Sequence, residues 1–217
     1  MPQLIAMVIV VVGAMIYMFQ TFGGTGDKIE GIAQKSSIIT EINNIKSGIQ
    51  LALRSDAVYN TSETEDTANN LVTSLRGVGV LEFFPEQINN QLIAAAAGTN
   101  VYKAISFGGE STLEITLVLP TTDALADGTA RPGLFIDLSK GSLATNAGFL
   151  EKQLIQDLKA LASIDQHATA LTYKALDPDG DVTSPTAKST TNGIGSDVDG
   201  KFMIYFKDLP RGMIKSK

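Results

Sequence analysis

The chain has 217 residues, of which 44% are hydrophobic and 18% are charged, and its formal net charge at pH 7 is −6. This balance excludes a disordered chain, which would contain fewer apolar and more charged residues. It also argues against nucleic-acid binding, because no basic surplus is available to neutralise phosphates. The absence of Cys excludes disulfides, Cys-ligated zinc and thiol catalysis, and the single His (His167) excludes an imidazole cluster within one chain.

The N-terminal segment is apolar over an unusual length. The residues from Leu4 to Phe19 carry no charge and no side-chain amide, and the first charged residue of the chain is Asp27. As a helix, residues 1–22 would extend about 33 Å, which is enough to cross the hydrocarbon core of a bilayer. No Lys or Arg precedes the run, so it does not match a cleavable secretion signal. Residues 1–26 are therefore predicted to form a membrane or filament-core segment.

A glycine-rich break and an amphipathic helix follow this segment. Gly23, Gly24 and Gly26 predict the break, because each Gly costs about 1 kcal/mol in a helix relative to Ala. Residues 27–57 are predicted to form the helix, with Asp27 as its N-cap. The apolar stripe of this helix consists of Ile29, Ile32, Ile39, Ile42, Ile45, Ile49, Ala52 and Leu53. We expect its C-terminal half to cover the core of the same chain, and residues 27–37 to face other subunits.

The third predicted unit is a globular head, residues 58–217. Predicted helices are Thr67–Arg76, Pro85–Ala97 and Phe149–Ser163. Predicted strands are Val101–Phe107, Thr112–Leu119, Leu134–Leu138, Thr169–Leu176 and Lys201–Phe206. The fold class is therefore α+β, with a long N-terminal helix packed on a head that contains an antiparallel sheet of about five strands.

The order of these features over the first 80 residues resembles that of type IV pilins. The shared features are the apolar run from residue 1, the break at residues 23–26, the amphipathic helix to about residue 54, and a stretch over residues 45–75 similar to a helix-loop-helix. The resemblance is to the type IVb subfamily of larger subunits that begin with Met. It implies an inner-membrane subunit that a prepilin peptidase processes and that the pilus assembly machinery builds into an extracellular filament.

The chain departs from the pilin pattern at three points. It has Ile5 where such pilins usually carry Glu, so the usual pairing of that carboxylate with a neighbouring N-terminal amine is absent. It has Pro2, which the first turn of a helix tolerates. It lacks the Cys pair of the C-terminal disulfide loop that is common in the family. A divergent branch, an archaeal-type filament subunit and another filament class with the same plan all stay open.

A physical account of assembly does not depend on the family. A helix that is apolar on all sides needs either lipid or a bundle of like helices around it. Small residues such as Gly13 allow close approach of helices in such a bundle, and identical contacts that do not close into a ring produce a filament. The predicted assembly residues are Leu4, Ile5, Val8, Ile9, Val12, Gly13, Ile16, Phe19, Gly23, Gly24 and Gly26.

Two sequence patterns are candidates for chemistry. Ser163, Asp165 and His167 contain the residue types of a hydrolase triad, but no nucleophile-elbow Gly-x-Ser-x-Gly is present. Asn60 begins an Asn-Thr-Ser triplet, which matches a glycosylation acceptor. The sequence offers no acid–base constellation with a specific spacing, so no enzymatic activity is expected.

One segment is a candidate for calcium binding. Asp177, Asp179 and Asp181 resemble the acidic start of a calcium loop. The EF-hand pattern requires Gly at the sixth position and Glu at the twelfth, where this chain has Val182 and Lys188. Simple turn formation is the alternative, and no cofactor other than calcium is considered.

The sequence therefore predicts a structural protein: the major subunit of an extracellular, type IV pilus-like filament that serves adhesion, aggregation or motility. Its partners would be identical copies of the chain and, before assembly, the inner membrane. The alternative is a non-polymerising, single-pass membrane-anchored protein whose extracytoplasmic head binds a ligand or partner.

Overall fold

The computed structural model describes residues 30–60, 66–96, 98–104, 107, 113–126, 128–189 and 196–216. Its described helices are α1 over residues 30–54, α2 (Leu75–Val80), α3 (Glu86–Ile93), α4 (Thr122–Ala126) and α5 (Ala147–Leu158). Its described strands are β1 (Val101–Lys103), β2 (Glu114–Val118), β3 (Gly133–Asp137), β4 (Ala162–Asp165) and β5 (Lys201–Phe206). Of two 3₁₀ turns, Thr67–Asn69 lies between α1 and α2, and Gly141–Asn146 lies between β3 and α5.

The five strands form one sheet in the order β1-β2-β3-β5-β4, and every neighbouring pair is antiparallel. The register places Leu117, Leu134, Ile204 and Ile164 in one row across four strands. The central strands β3 and β5 are buried almost throughout. Strands that are covered on both faces usually have a continuous run of apolar residues instead of alternating apolar and polar residues. This explains the apolar run that follows Lys201 and ends at Phe206. The predicted α+β class and the antiparallel five-stranded sheet are confirmed.

One face of the sheet packs against α1 and the shorter helices. The central line of α1 contributes Ile38, Ile42, Ile45 and Ile49, all fully buried, at spacings of three or four residues. This is the spacing that keeps side chains on one face of a helix. Gly48 lies on the same side, and a Cβ there would collide with the ring of Phe84, so this helix position requires Gly.

The opposite face of the sheet carries a second apolar cluster, which is covered by the connection between β4 and β5. Phe135, Met203 and Tyr205 of the sheet pack there with Ala168 and Leu176 of the connection. Asp165, fully buried at the end of β4, accepts hydrogen bonds from the backbone N–H and the hydroxyl of Thr186, at 2.8 and 2.7 Å. The connection is therefore fixed to the sheet by both apolar and polar contacts.

Two predicted elements near β4 are wrong. The helix predicted to reach Ser163 ends at Leu158, and Ala162–Asp165 forms β4 instead. The reason is tertiary: Ala162 and Ile164 pair with Phe206 and Ile204 of β5, which satisfies the backbone of an extended segment. The strand predicted over residues 169–176 is absent from the described sheet, where this segment contributes one isolated bridge, between Leu176 and Val182.

The helix predicted over residues 67–76 is displaced along the chain. A 3₁₀ turn occupies its start, and α2 begins only after Ser74, whose hydroxyl accepts a hydrogen bond from the Gly77 N–H at 3.3 Å. Gly77 and Gly79, which follow the predicted helix in sequence, lie inside α2 and are buried. A Cβ on Gly79 would stand 3.0 Å from the Cβ of Leu92 in α3. Gly79 therefore allows close packing of α2 against α3.

Candidate functional site

The predicted assembly residues from Leu4 to Gly26 lie outside the described residues, so the described part of the candidate site begins at residue 30. From residue 30 on, none of the helices that the structure describes combines the length and the hydropathy of a membrane span. The division of the chain into residues 1–26, 27–57 and 58–217 stays a prediction.

The first described turns of α1 dock onto α5. Gly31 is buried, and a Cβ on it would stand 3.0 Å from Cε1 of Phe149. Gln34 is also buried, and its Oε1 accepts a hydrogen bond from Asn146 at 3.4 Å. The ammonium of Lys35 lies 2.8 Å from a carboxylate oxygen of Asp157. One side of this portion therefore packs against the same chain, although the sequence predicted that it faces other subunits.

Exposed apolar side chains lie at and beside this contact. Ile32 is 59% exposed, Phe149 is 43% exposed and Val198 is 58% exposed. Phe149 lies against Gly31, the chain neighbour of Ile32, and Val198 lies against Gly148, the chain neighbour of Phe149. Single apolar residues on a surface are normal, whereas neighbouring ones mark interaction surfaces. We call Ile32, Phe149 and Val198 the apolar rim.

A cavity of about 380 Å³ lies beside α5. Its lining consists of Glu151, Lys152, Gln153, Ile155, Gln156, Gln166 and Asp197. Most of these side chains are polar and can hydrogen-bond, and Asp197 is held by Lys188 at 2.7 Å. The Lys188 ammonium lowers the pKa of the Asp197 carboxyl.

Glu151 is the chemically distinctive group of this cavity. Its side chain is fully buried, one carboxyl oxygen accepts the Gly200 N–H at 2.8 Å, and the other has no hydrogen-bond partner. Burial raises the pKa of Glu151 to about 8; the Asp199 and Asp197 carboxylates add to the effect, while the Gly200 N–H and Lys152 oppose it. The carboxyl group is therefore mostly protonated at neutral pH.

Sequence reasoning missed Glu151, although one signal was present. Glu151 shares a helical stripe with Ala147, Leu154 and Leu158, all of which are buried. An acidic residue on the apolar stripe of a helix is unusual, because burial of a charge is costly without a partner. That position alone could have marked it as a perturbed carboxyl group.

The three residues of the triad pattern have three different structural roles. The Ser163 hydroxyl accepts a hydrogen bond from the Val182 N–H at 3.0 Å. Asp165 holds Thr186, as described above. The ring of His167 is buried, with Nε2 3.0 Å from the amide nitrogen of Gln166 and Nδ1 3.6 Å from the Asp197 carboxylate. These contacts fix the connection between β4 and β5.

The calcium candidates form a tight turn. Asp177 accepts a hydrogen bond from the Asp181 N–H at 2.8 Å through its carboxylate, and its backbone carbonyl accepts from Gly180. Asp181 pairs with Lys207 at 2.7 Å, which lowers the pKa of its carboxyl, and Asp179 is exposed. Within the described ranges, no group of three or more His, Asp or Glu side chains is arranged to hold a metal ion. Calcium binding stays a prediction.

The glycosylation candidate lies at the edge of a described range. The Asn60 amide donates to the Pro120 carbonyl at 3.3 Å, and its backbone N–H donates to the Lys215 carbonyl at 3.0 Å. Thr61 and Ser62 lie outside the described residues. Glycosylation at Asn60 also stays a prediction.

Comparison of the chain with protein-family models, with curated proteins and with solved structures finds no match in any of the three. The residues of the chain and the geometry of its described part therefore carry the evidence on function.

Proposed function

We propose that the chain is a structural subunit that polymerises through its N-terminal segment into an extracellular, type IV pilus-like filament. The observation that carries the proposal is the apolar run, in which nine positions from Leu4 to Phe19 are Leu, Ile, Val or Phe and none is charged. On the membrane-insertion scale, nine such residues favour an apolar environment by about 3 to 5 kcal/mol. A bundle of identical helices supplies that environment as well as lipid does.

The location of the described core supports separate roles for the N-terminal segment and the head. Among the described residues, the buried core cluster begins at Ile38, and it is built from α1, the sheet and the shorter helices. The described part of the core is therefore built entirely from residues that follow the apolar run.

The cavity beside Glu151 favours a second candidate, a membrane-anchored protein that binds a ligand through its head without polymerising. A cavity of about 380 Å³ is within the size range of small-molecule sites. In that case the apolar run would act only as an anchor.

Detergent removal from the purified full chain separates the two candidates. The filament proposal predicts that negative-stain microscopy shows filaments once the detergent is removed. Val12→Lys should abolish them, because a Lys at the centre of an apolar helix costs about 2.5 to 3.5 kcal/mol, and the matched Val12→Leu should retain them. Amorphous aggregates from the unmodified chain would favour the anchored candidate, and a chain that stays a monodisperse monomer without detergent would contradict both.

Deletion of residues 1–26 provides an independent test. The truncated chain should be a soluble monomer by size-exclusion chromatography with light scattering, because the described core lies beyond the deletion. Persistent oligomers would show that the heads carry the main association energy, which contradicts the proposal.

A further inference from the structure

We infer that the apolar rim receives the N-terminal apolar segment, residues 4–22, of a second copy of the chain. The inference rests on the proposed function and adds to it a specific docking surface on the head. The rim combines one residue from α1, one from α5 and one from the loop before β5, so the folded head brings together residues that are distant in sequence.

The location of the rim points to this occupant. Ile32 is two residues from Glu30, where the described part of α1 begins, and the apolar run precedes that point by only seven residues, 23–29. The rim therefore lies at the end of the head to which the apolar segment is attached. In any array that packs these segments side by side, the neighbouring segments and the rim are close together.

The chemistry of the rim matches that of the segment. Ile32, Phe149 and Val198 present aliphatic and aromatic surface, and the residues from Leu4 to Phe19 bear no charge that would need a partner. Burial of such surface is favourable by about 25 cal/mol per Å². Gly31 and Gly148 keep the surface compact, because Phe149 and Val198 lie directly against them.

A second copy is favoured over the segment of the same chain. The rim could cover only one stripe of a helix, whereas the run is apolar at nearly every position and needs partners all round. A segment folded back onto its own head would leave most of that surface in water. Several neighbouring copies can cover the segment completely.

The rim is too small to cause association alone. A stable interface buries about 800 Å² on each partner, which three partly exposed side chains do not reach. The rim therefore adds to the contacts between segments and fixes where each segment runs on the head of its neighbour. Its loss should weaken assembly without affecting the fold of the head.

Cross-linking between two singly substituted full-length chains tests the contact directly, since the chain has no native Cys. Filaments would be assembled from a mixture of Phe149→Cys with Val12→Cys, Ile16→Cys or Phe19→Cys and treated with a short bismaleimide. At least one pair should yield a covalent dimer. Leu171→Cys is the control, because it is 54% exposed and lies in the connection that covers the opposite face of the sheet.

Each outcome of this experiment bears on the inference. A dimer yield with Phe149→Cys at least several-fold above that with Leu171→Cys supports it. Equal yields, or no dimer from any pair, would overturn it. A single chain that carries both Cys substitutions provides the comparison. If cross-links form only within that chain and never between two chains, the inference is overturned, since the segment of the same chain would then be the occupant.

A matched pair of substitutions on α1 gives a second measurement. Ile32→Asp should raise the protein concentration needed for filament formation by tenfold or more, whereas Leu51→Asp should not. Leu51 is the control because it is 52% exposed on the same helix and lies outside the rim. Circular dichroism would verify that both variants fold. If both variants need the same protein concentration to form filaments, the inference is overturned and the proposed function is not. If the unmodified chain forms no filaments, the proposed function is overturned as well.

Discussion

Replacement of Glu151 by Gln should remove a pH-dependent loss of stability from the head. The carboxyl group of Glu151 is fully buried, and only one of its oxygens accepts a hydrogen bond, from the Gly200 N–H. Gln has the same shape and keeps an acceptor for that N–H. The substitution therefore tests the ionisation of the group while the packing around it changes little.

The magnitude follows from the shift in pKa. The pKa of Glu151 is about 8 in the folded protein, against 4.5 as its ordinary value. The folded state therefore binds a proton that the unfolded state releases, and the associated stability is fully present below pH 4.5 and lost as pH rises toward 8. At about 1.36 kcal/mol per pH unit, the loss between pH 4.5 and pH 7 is on the order of 3 kcal/mol.

The assay is urea unfolding followed by circular dichroism at several pH values from 5 to 9. The free energy of unfolding of the unmodified protein should fall relative to that of Glu151→Gln as pH rises, with most of the change between pH 5 and 8. A Gln amide left unpaired costs about 1 to 3 kcal/mol, but that cost does not vary with pH. The pH dependence of the difference is therefore the diagnostic quantity.

The exposed Glu82 provides the control. Glu82→Gln removes the same charge from the surface, and it should leave the pH dependence of the unmodified protein in place. If Glu151→Gln and the unmodified protein show parallel curves from pH 5 to 9, the carboxyl group does not take up a proton on folding and the reasoning is refuted.

Three further predictions concern the fold and the calcium candidates. Gly48→Ala should destabilise the protein by about 1 to 3 kcal/mol in urea unfolding, despite better helix propensity, because Phe84 and the Phe83 carbonyl leave no room for a methyl group; a stable variant would contradict the packing. Asp165→Ala should cost about 3 kcal/mol, because two charge-assisted hydrogen bonds to Thr186 are lost, and should make the connection after β4 sensitive to protease; unchanged protection would refute that role. Millimolar calcium should raise the melting temperature if residues 177–181 bind the ion, and the absence of any shift would reject the calcium hypothesis.

The periodicity of α1 could be predicted from the sequence because it is local. Ile42, Ile45 and Ile49 lie in the core as the spacing indicated. Ile32 is exposed although it belongs to the same predicted stripe, because the buried line of the helix runs through Gly31, Gln34 and Ile38 at its start. Which side of a helix meets the core is decided by its partner, here α5, and the isoleucine pattern alone did not specify that partner.

The errors around β4 and the omission of Glu151 have a shared physical cause. Leu158 and Leu161 continue the helical spacing of α5, but pairing with β5, about forty residues later, makes Ala162–Asp165 extended. Burial is the main cause of the raised pKa of Glu151, and the Asp199 and Asp197 carboxylates, which lie in the loop before β5, add to it. Both features depend on contacts between distant parts of the chain, which local patterns do not encode.

The central claim is that residues 4–22 form the core of a filament and that the heads lie outside it. Helical reconstruction of filaments by cryo-electron microscopy tests this claim most directly. The account predicts a central bundle of apolar helices that bears the side chains of Leu4–Phe22, surrounded by heads with the five-stranded sheet. A filament whose axis is formed by head–head contacts, with the apolar segments at its periphery, would contradict it.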